Sequence, residues 1–412
     1  MRDILVTLIV FSALPFVLKR AHIGMLLWSW ISYMNPHRLG WGFAYNFPFA
    51  QVIAIVTFVS ILFSKERGRF PVTGLVVLWL LYIAWMGVTT VFAMDPDAAQ
   101  AQLIKVLKIQ LMALLTLILF QDKNRLLQLV WVITLSLAFF GVKGGIFTLL
   151  QGGGARVWGP PGSFIADNNH LALALLMTIP LLIYLRSLCT QRWQRLVMLG
   201  AVVLVAVSVF GSYSRGALLA TSAVALFLWL KSPRKIPIAL GSLVVIGALF
   251  FFMPQQWHER MGTISSYEED KSAQGRLEAW EVAFNVANDR LFGGGFELWS
   301  PQVFAMYSPG YDYRAAHSIY FSVLGEHGWI GLILFLSILF ATWRVSGWVI
   351  KVAGDSEEMR WASDLSRMIQ VSLVAYMSGG AFLSLSYFDL PWNLIGITVL
   401  LQLLVKRQLE GS

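Results

Sequence analysis

Residues 317–336 read HSIYFSVLGEHGWIGLILFL, an apolar run broken only by His317 at its start and the adjacent pair Glu326 and His327 further in. The run is long enough to cross a bilayer, which takes roughly 17 to 25 residues. Comparable runs recur from one end of the chain to the other: 4–18, 22–34, 47–63, 72–93, 101–120, 126–149, 170–186, 196–211, 214–231, 236–253, 317–342, 368–387 and 392–405. Of 412 residues, 57% are hydrophobic and 13% charged, against roughly 25% charged in a soluble domain, and the mean hydropathy is +0.67. These values predict an all-α polytopic membrane protein, a single transmembrane domain over 1–412. The first run follows Met-Arg-Asp and lacks a small-x-small cleavage site, so it reads as a retained anchor.

Lysine and arginine set the expected orientation. The short connections SKERGR (64–69), QDKNR (121–125), RSLCTQRWQR (186–195) and KSPRK (231–235), the 343–367 connection and KRQ (406–408) alternate along the chain, and basic short loops belong in the cytoplasm. The remaining loops then face outward, and of these only 254–316 is long enough to hold structure of its own. Thirteen runs with a cytoplasmic C-terminus would put the N-terminus outside. Treating 22–34 or 392–405 as half a span gives about 12 transmembrane helices with both ends inside. The 254–316 loop carries nine Asp and Glu against five Lys and Arg, including Glu268, Glu269, Asp270 and Asp312, so the net +9 of the chain lies elsewhere. That charge serves orientation and anionic lipid contact and gives no sign of nucleic acid. Within the loop, Leu277, Trp280, Phe284 and Ala287 fall on one face of an expected amphipathic helix that lies on the membrane surface or caps the domain.

Several cations lie on the outward side, where orientation does not need them: Lys105, Lys108, Lys143, Arg156, Arg215, Arg276 and Arg314. In GSYSRGALLA, Arg215 stands in the first turn of a helix with Ser212 or Ser214 as N-cap candidates. A cation there opposes the helix dipole, a conflict removed if an anion binds the same N-terminus. The alternative is an arginine reaching up to lipid phosphate. An anion at the outer surface of so apolar a protein points to a phosphate-bearing lipid.

At 100° per residue, Phe321, Leu324, Gly328 and Gly331 continue the stripe below His317, where another helix could pack closely, and Glu326 points to the opposite face. His317 sits at head-group depth and suits a general base; Glu326 and His327 read as a buried contact between helices, with a proton path as the alternative. The single Cys189 excludes an intrachain disulfide, no Cys/His spacing resembles a zinc site, and Asp95 and Asp97 form an ordinary acidic turn. No metal and no cofactor is expected. Trp257, Trp280, Trp299 and Tyr313 are either interfacial anchors or platforms for sugar rings.

SYSRGALLA (212–220), GRLEAW (275–280) and HSIYFSVLGEHGWIGL (317–332), with RVWGPPGSFIADNNHLA (156–172) as a weaker match, together resemble the O-antigen ligase family. The resemblance covers the last two-thirds of the chain; the first 100 residues match only in being hydrophobic. It implies a metal-independent, inverting glycosyltransferase of the membrane GT-C type in lipopolysaccharide biosynthesis, with 254–316 as a large periplasmic loop. Carried over, Arg215 and Arg276 hold the pyrophosphate of an undecaprenyl-pyrophosphate-linked glycan donor, and His317 is the general base on a hydroxyl of the lipid A-core acceptor. Asn169 and Arg156 are implied substrate contacts, with Arg314, Lys105 and Lys108 as further candidates. Where the family often has Pro before that asparagine, this chain has Asn168. The implied location is the bacterial inner membrane, multi-pass, with the active site on the periplasmic side. A repeat-unit polymerase or a protein O-oligosaccharyltransferase would share the donor and the Arg and His logic. A transporter would be expected to show inverted repeats and midplane charges, which the chain lacks.

Overall fold

The computed structural model describes residues 1–63, 68–231, 235–262, 271–309 and 313–411. Most of SKERGR and KSPRK, and Glu268, Glu269, Asp270 and Asp312 of the acidic loop, lie outside the described residues. The described residues form helices and no strands. In chain order these are α1 Arg2–Lys19, α2 Ala21–Met34, α3 Phe49–Phe63, α4 Gly74–Val91, α5 Pro96–Leu119, α6 Lys123–Leu150, α7 Asn168–Leu188 and α8 Arg192–Gly211. There follow α9 Arg215–Lys231, α10 Lys235–Phe252, α11 Gln255–Gly262, α12 Lys271–Asp289, α13 Pro301–Tyr307, α14 Ile319–Ala353, α15 Arg360–Gly380 and α16 Asp389–Gly411.

Each expected apolar run lies on a helix of its own, and α11, α12 and α13 occupy the long loop. Among the described residues seven helices, α4, α5, α6, α7, α8, α14 and α16, are long and apolar enough to cross a membrane. The protein is a helical, multi-pass membrane protein. Side chains stop and start these helices at the polar ends: Asp122 caps α6 through Arg125 N at 2.9 Å, and Thr73 caps α4. Asp95, expected as an acidic turn, caps α5 by accepting from Ala98 N at 3.1 Å. Each such cap satisfies a backbone donor that the first helical turn leaves open.

α7 and α16 are the innermost spans, buried along most of their length. α7 packs against α6, α8, α9 and α15, and α15 packs on α14 and α16 in turn. Lipid tails are as apolar as leucine, so helix association here depends on close packing by small residues. The clearest case is the α6–α8 seam. A Cβ on Gly145 would fall on the backbone carbonyl of Leu204, and Gly141 and Gly144 face Val205 and Ser208. Backbone contact at this seam fixes where α8 ends, and Gly211 at that end rests on Thr148.

The two helix faces singled out in the sequence meet different surroundings. α12 buries Ala279, Val282, Ala283 and Val286, while Leu277 and Phe284 are exposed. The small residues win the inward face because α12 lies close against α14, where Gly325 abuts Ala283. The stripe below His317 is also interrupted. His317 precedes α14, and the helix itself is broken at Gly328 (φ 66°, ψ −173°). What approaches Gly328 is the backbone of Leu291 to Gly293, whereas Gly331 meets Trp85 of α4, a helix that packs on α14 as the glycine stripe led one to expect.

Gly145→Val is expected to lower the unfolding temperature in detergent, overpacking a seam at a cost of about 1–3 kcal/mol. Gly200→Ala, on an exposed part of α8 with nothing within 4 Å, is expected to leave it unchanged or raise it slightly.

Candidate functional site

Three chain segments meet where α7, α9 and α14 begin. The first is the start of α7. Asp167 is its N-cap and accepts from Asn169 N at 2.8 Å and from the Asn169 side-chain amide at 2.9 Å. Burial would push the Asp167 carboxyl up, but these hydrogen bonds hold it below the ordinary carboxylate range. Asn168 is buried and donates from Nδ2 to Ser212 O at 2.6 Å, which ties α7 to the second segment.

That segment is the turn Ser212 to Ser214 between α8 and α9. Tyr213 sits in the left-handed region at φ 59°, a conformation that a bulky residue adopts only when its surroundings impose it. Its hydroxyl donates to Gly153 O at 2.7 Å, Arg260 Nε donates to its carbonyl at 2.9 Å, and the Arg156 guanidinium lies 5.7 Å from its ring centre. Ser214 then caps α9, its hydroxyl accepting from Ala217 N at 3.2 Å. Arg215 follows as the first helical residue, at the positive end of the helix dipole.

The third segment carries His317, also left-handed at φ 46°. Trp280 of α12 holds it in place by donating from Nε1 to Ala316 O at 2.8 Å and stacking on Phe321 with ring centres 4.7 Å apart. Burial pushes the His317 imidazole down to about 4; the nearby Arg276 charge pushes the same way, as do those of His170 and Arg314, while Asp167 opposes them. Arg314 reaches this place because position 275 is glycine: a Cβ there would stand 2.8 Å from Arg314 Nε. At neutral pH the arrangement is therefore an uncharged imidazole beside two guanidinium groups. It is suited to accept a proton while holding a multiply charged anion.

Residues 200–336 match the family model described as O-antigen ligase, and residues 1–190 match one described as a family of unknown function (DUF5935). The chain carries an O-antigen ligase family domain. A search of curated proteins finds no match. The O-antigen ligase match covers the Ser212–Arg215 turn, Arg276 and His317. It supports a ligase- or polymerase-type function in O-antigen or polysaccharide assembly, which implies a glycosyltransferase-like enzyme.

Within this domain the structure brings Arg276 and Arg314 to His317 and places Arg156 and Arg215 on the adjoining turn. Asn169 braces Asp167. Lys105 lines a neighbouring cleft with Arg38 and Asp389, whereas Lys108, one turn further on, does not line it. Lys143 and Arg156 share another cleft of about 290 Å³, walled by Phe140, Phe147 and Trp158. Of the aromatics, Trp280 is engaged by Phe321 and Trp257 is buried against Phe210. Asp167 and His170 escaped the sequence reading: an Asp before Asn-Asn looks like a plain helix cap, and only the fold brings it to His317. Asn168, a departure from the family pattern, has its own use as the tie to Ser212.

Glu326 and His327 belong to a buried polar cluster below the site. Tyr387 OH donates to Glu326 Oε2 and lies 2.8 Å from His327 Nε2, while His327 Nδ1 is 2.7 Å from the Thr89 hydroxyl. The His327–Thr89 contact joins α14 to α4 as read, whereas Tyr387 belongs to the turn between α15 and α16. Tyr387→Phe is expected to leave both groups short of a partner and to destabilise the protein by about 1–3 kcal/mol, measured by thermal unfolding in detergent. Tyr313→Phe, at an exposed position, is expected to have no effect.

Proposed function

We propose that the protein transfers a glycan from undecaprenyl pyrophosphate to a hydroxyl of lipid A-core, at the periplasmic face of the inner membrane. The observation that carries this reading is the neutral His317 imidazole beside Arg276 and Arg314, in a domain of the O-antigen ligase family. Arg276, with Arg314 and the Arg215 end of α9, would bind the pyrophosphate. His317 would take the proton of the acceptor hydroxyl as its oxygen attacks the anomeric carbon from the face opposite the leaving group. The bond between that carbon and the phosphate oxygen breaks, and the electron pair leaves on the pyrophosphate. Guanidinium groups sharing the developing charge supply the electrostatic stabilisation, in the manner of a GT-C-type enzyme with inversion at the sugar carbon.

The charges explain why a base so strongly depressed is still useful. Arg276 and Arg314 push the His317 pKa down in the free protein. A bound pyrophosphate offsets the guanidinium part of the depression while the larger part due to burial remains, so the imidazole rises part of the way toward its ordinary value of about 6.5 and accepts protons better.

His317→Ala is expected to lower transfer by about 10²- to 10⁴-fold, and Arg276→Ala by about 10²- to 10³-fold, with the protein still folded in the membrane. The assay uses purified protein, an undecaprenyl-pyrophosphate glycan and either lipid A-core or further donor. Label on lipid A-core supports the reading; a longer lipid-linked glycan would make the protein a polymerase instead. Full activity of the His317 variant would remove the base assignment.

The pH profile gives an independent check. The acid limb of kcat/KM, which reports the free protein, is expected near pH 4, and that of kcat at a higher pH. Arg276→Gln should move the kcat/KM limb upward, since it removes a charge that disfavours the imidazolium.

A further inference from the structure

A cleft of about 250 Å³ lies beside the site, between the loop after α2, α5, the Gly162–Ile165 loop and the start of α16. Its polar lining comprises Ser32, Tyr33, Asn35, His37, Arg38, Lys105, Ser163 and Asp389. Asp389 is 4% exposed and accepts a hydrogen bond from the Ser32 hydroxyl. Arg38 stands at the Gly162 wall, where a Cβ on that glycine would lie 3.6 Å from the guanidinium carbon, and it is held over the Tyr45 ring at 4.6 Å. Lys105 approaches from the exposed side of α5.

The mixture of groups selects the ligand. A carboxylate, three hydroxyls, an imidazole and an amide beside two cations offer acceptors and donors in one small space. A phosphate would be repelled by Asp389, and an acyl chain would strand the polar groups. Vicinal sugar hydroxyls, each both donor and acceptor, satisfy both kinds of partner. The volume lies below the roughly 300–1,000 Å³ of pockets for drug-sized ligands, in keeping with a single sugar ring.

The position supplies the connection to the reaction. Ile165 lines the cleft, and two residues further on Asp167 exerts its charge on His317. Two residues of extended chain span at most about 7 Å. We propose that this cleft is a carbohydrate subsite that holds the sugar next to the one being joined, with Asp389 accepting from its hydroxyls and Arg38 and Lys105 donating to them. The proposal rests on the glycan-transfer reading. The sugar comes either from the donor glycan or from the acceptor.

The test uses full-length His317→Ala protein in detergent, so that no turnover intervenes. Its probes are the oligosaccharide freed from the donor lipid by mild acid and, separately, delipidated core oligosaccharide. Saturation-transfer NMR should show one of them bound, and which one identifies the source. Adding Asp389→Asn or Lys105→Gln should weaken binding about tenfold or more, as expected for the loss of a hydrogen bond to a charged group. Lys105→Gln changes an exposed helical position and guards against a folding artefact. Adding Gly200→Ala, on the exposed side of α8, should leave binding within a few-fold.

No saturation of either oligosaccharide, or unchanged affinity in both cleft variants, overturns the proposal. So does inorganic pyrophosphate binding that Lys105→Gln abolishes, since the cleft would then be an anion site. If the unsubstituted protein still transfers glycan while no sugar binds the cleft, the subsite fails and the transfer reading stands. If sugar binds and transfer is absent, the reverse holds.

Discussion

The carbonyls of Gly325, Glu326 and His327 lose their helical partners where α14 breaks at Gly328, and each finds a donor elsewhere in the protein. Gly294 N donates to Gly325 O at 2.8 Å, Gly295 N to Glu326 O at 2.9 Å, and Trp85 Nε1 to His327 O at 2.9 Å. Irregular backbone within a membrane domain persists only where protein satisfies it. Gly293 makes this possible, because a Cβ there would stand 2.6 Å from Gly328 N and 2.7 Å from Gly325 O, and Gly295 lets the same segment lie against Ala93. Met94 N donates in turn to Gly294 O at 2.8 Å, so the same segment ties α14 to the α4–α5 connection. The short half-helix from Ile319 to His327 is thereby mounted on its own supports, and His317 stands at its head.

From that mounting the rest of the site follows. α12 lies against the half-helix through small side chains, and this brings both Trp280 and Arg276 to the His317 segment. Two residues at the site, Tyr213 and His317, have left-handed backbones that a free chain would avoid. Each is held by hydrogen bonds from other elements, and that support is what permits the strain. The strain places the Tyr213 carbonyl on Arg260 and keeps the His317 imidazole out of the helix proper.

The membrane architecture was legible in the sequence because long apolar runs have few alternatives in a bilayer, and each run became a helix. His317, Arg276 and Arg314 were legible as charge and imidazole placed where orientation did not need them, and the structure groups them. Periodicity found the helix α12 and its face of large residues, and left the opposite, inward face unread. It weighted the large residues Leu277 and Phe284, whereas contact with α14 selected Ala279, Val282 and Ala283, a choice set by how closely two helices approach. The break at Gly328 was hidden for a related reason: its cause lies in residues 293–295, far away in the chain. Asp167 and Asp389 were invisible as site residues, since helix-cap positions commonly carry an aspartate.

The charge pattern around His317 has a further consequence for the reaction cycle under the proposed mechanism. After transfer the imidazole carries the acceptor's proton, stabilised only as long as the pyrophosphate remains. When that product departs, burial and the now uncompensated charges of Arg276 and Arg314 return the imidazolium to a pKa of about 4. At neutral pH it sheds its proton to water at once. Product release and regeneration of the base are then one event, and the enzyme returns to its starting state with no dedicated proton carrier.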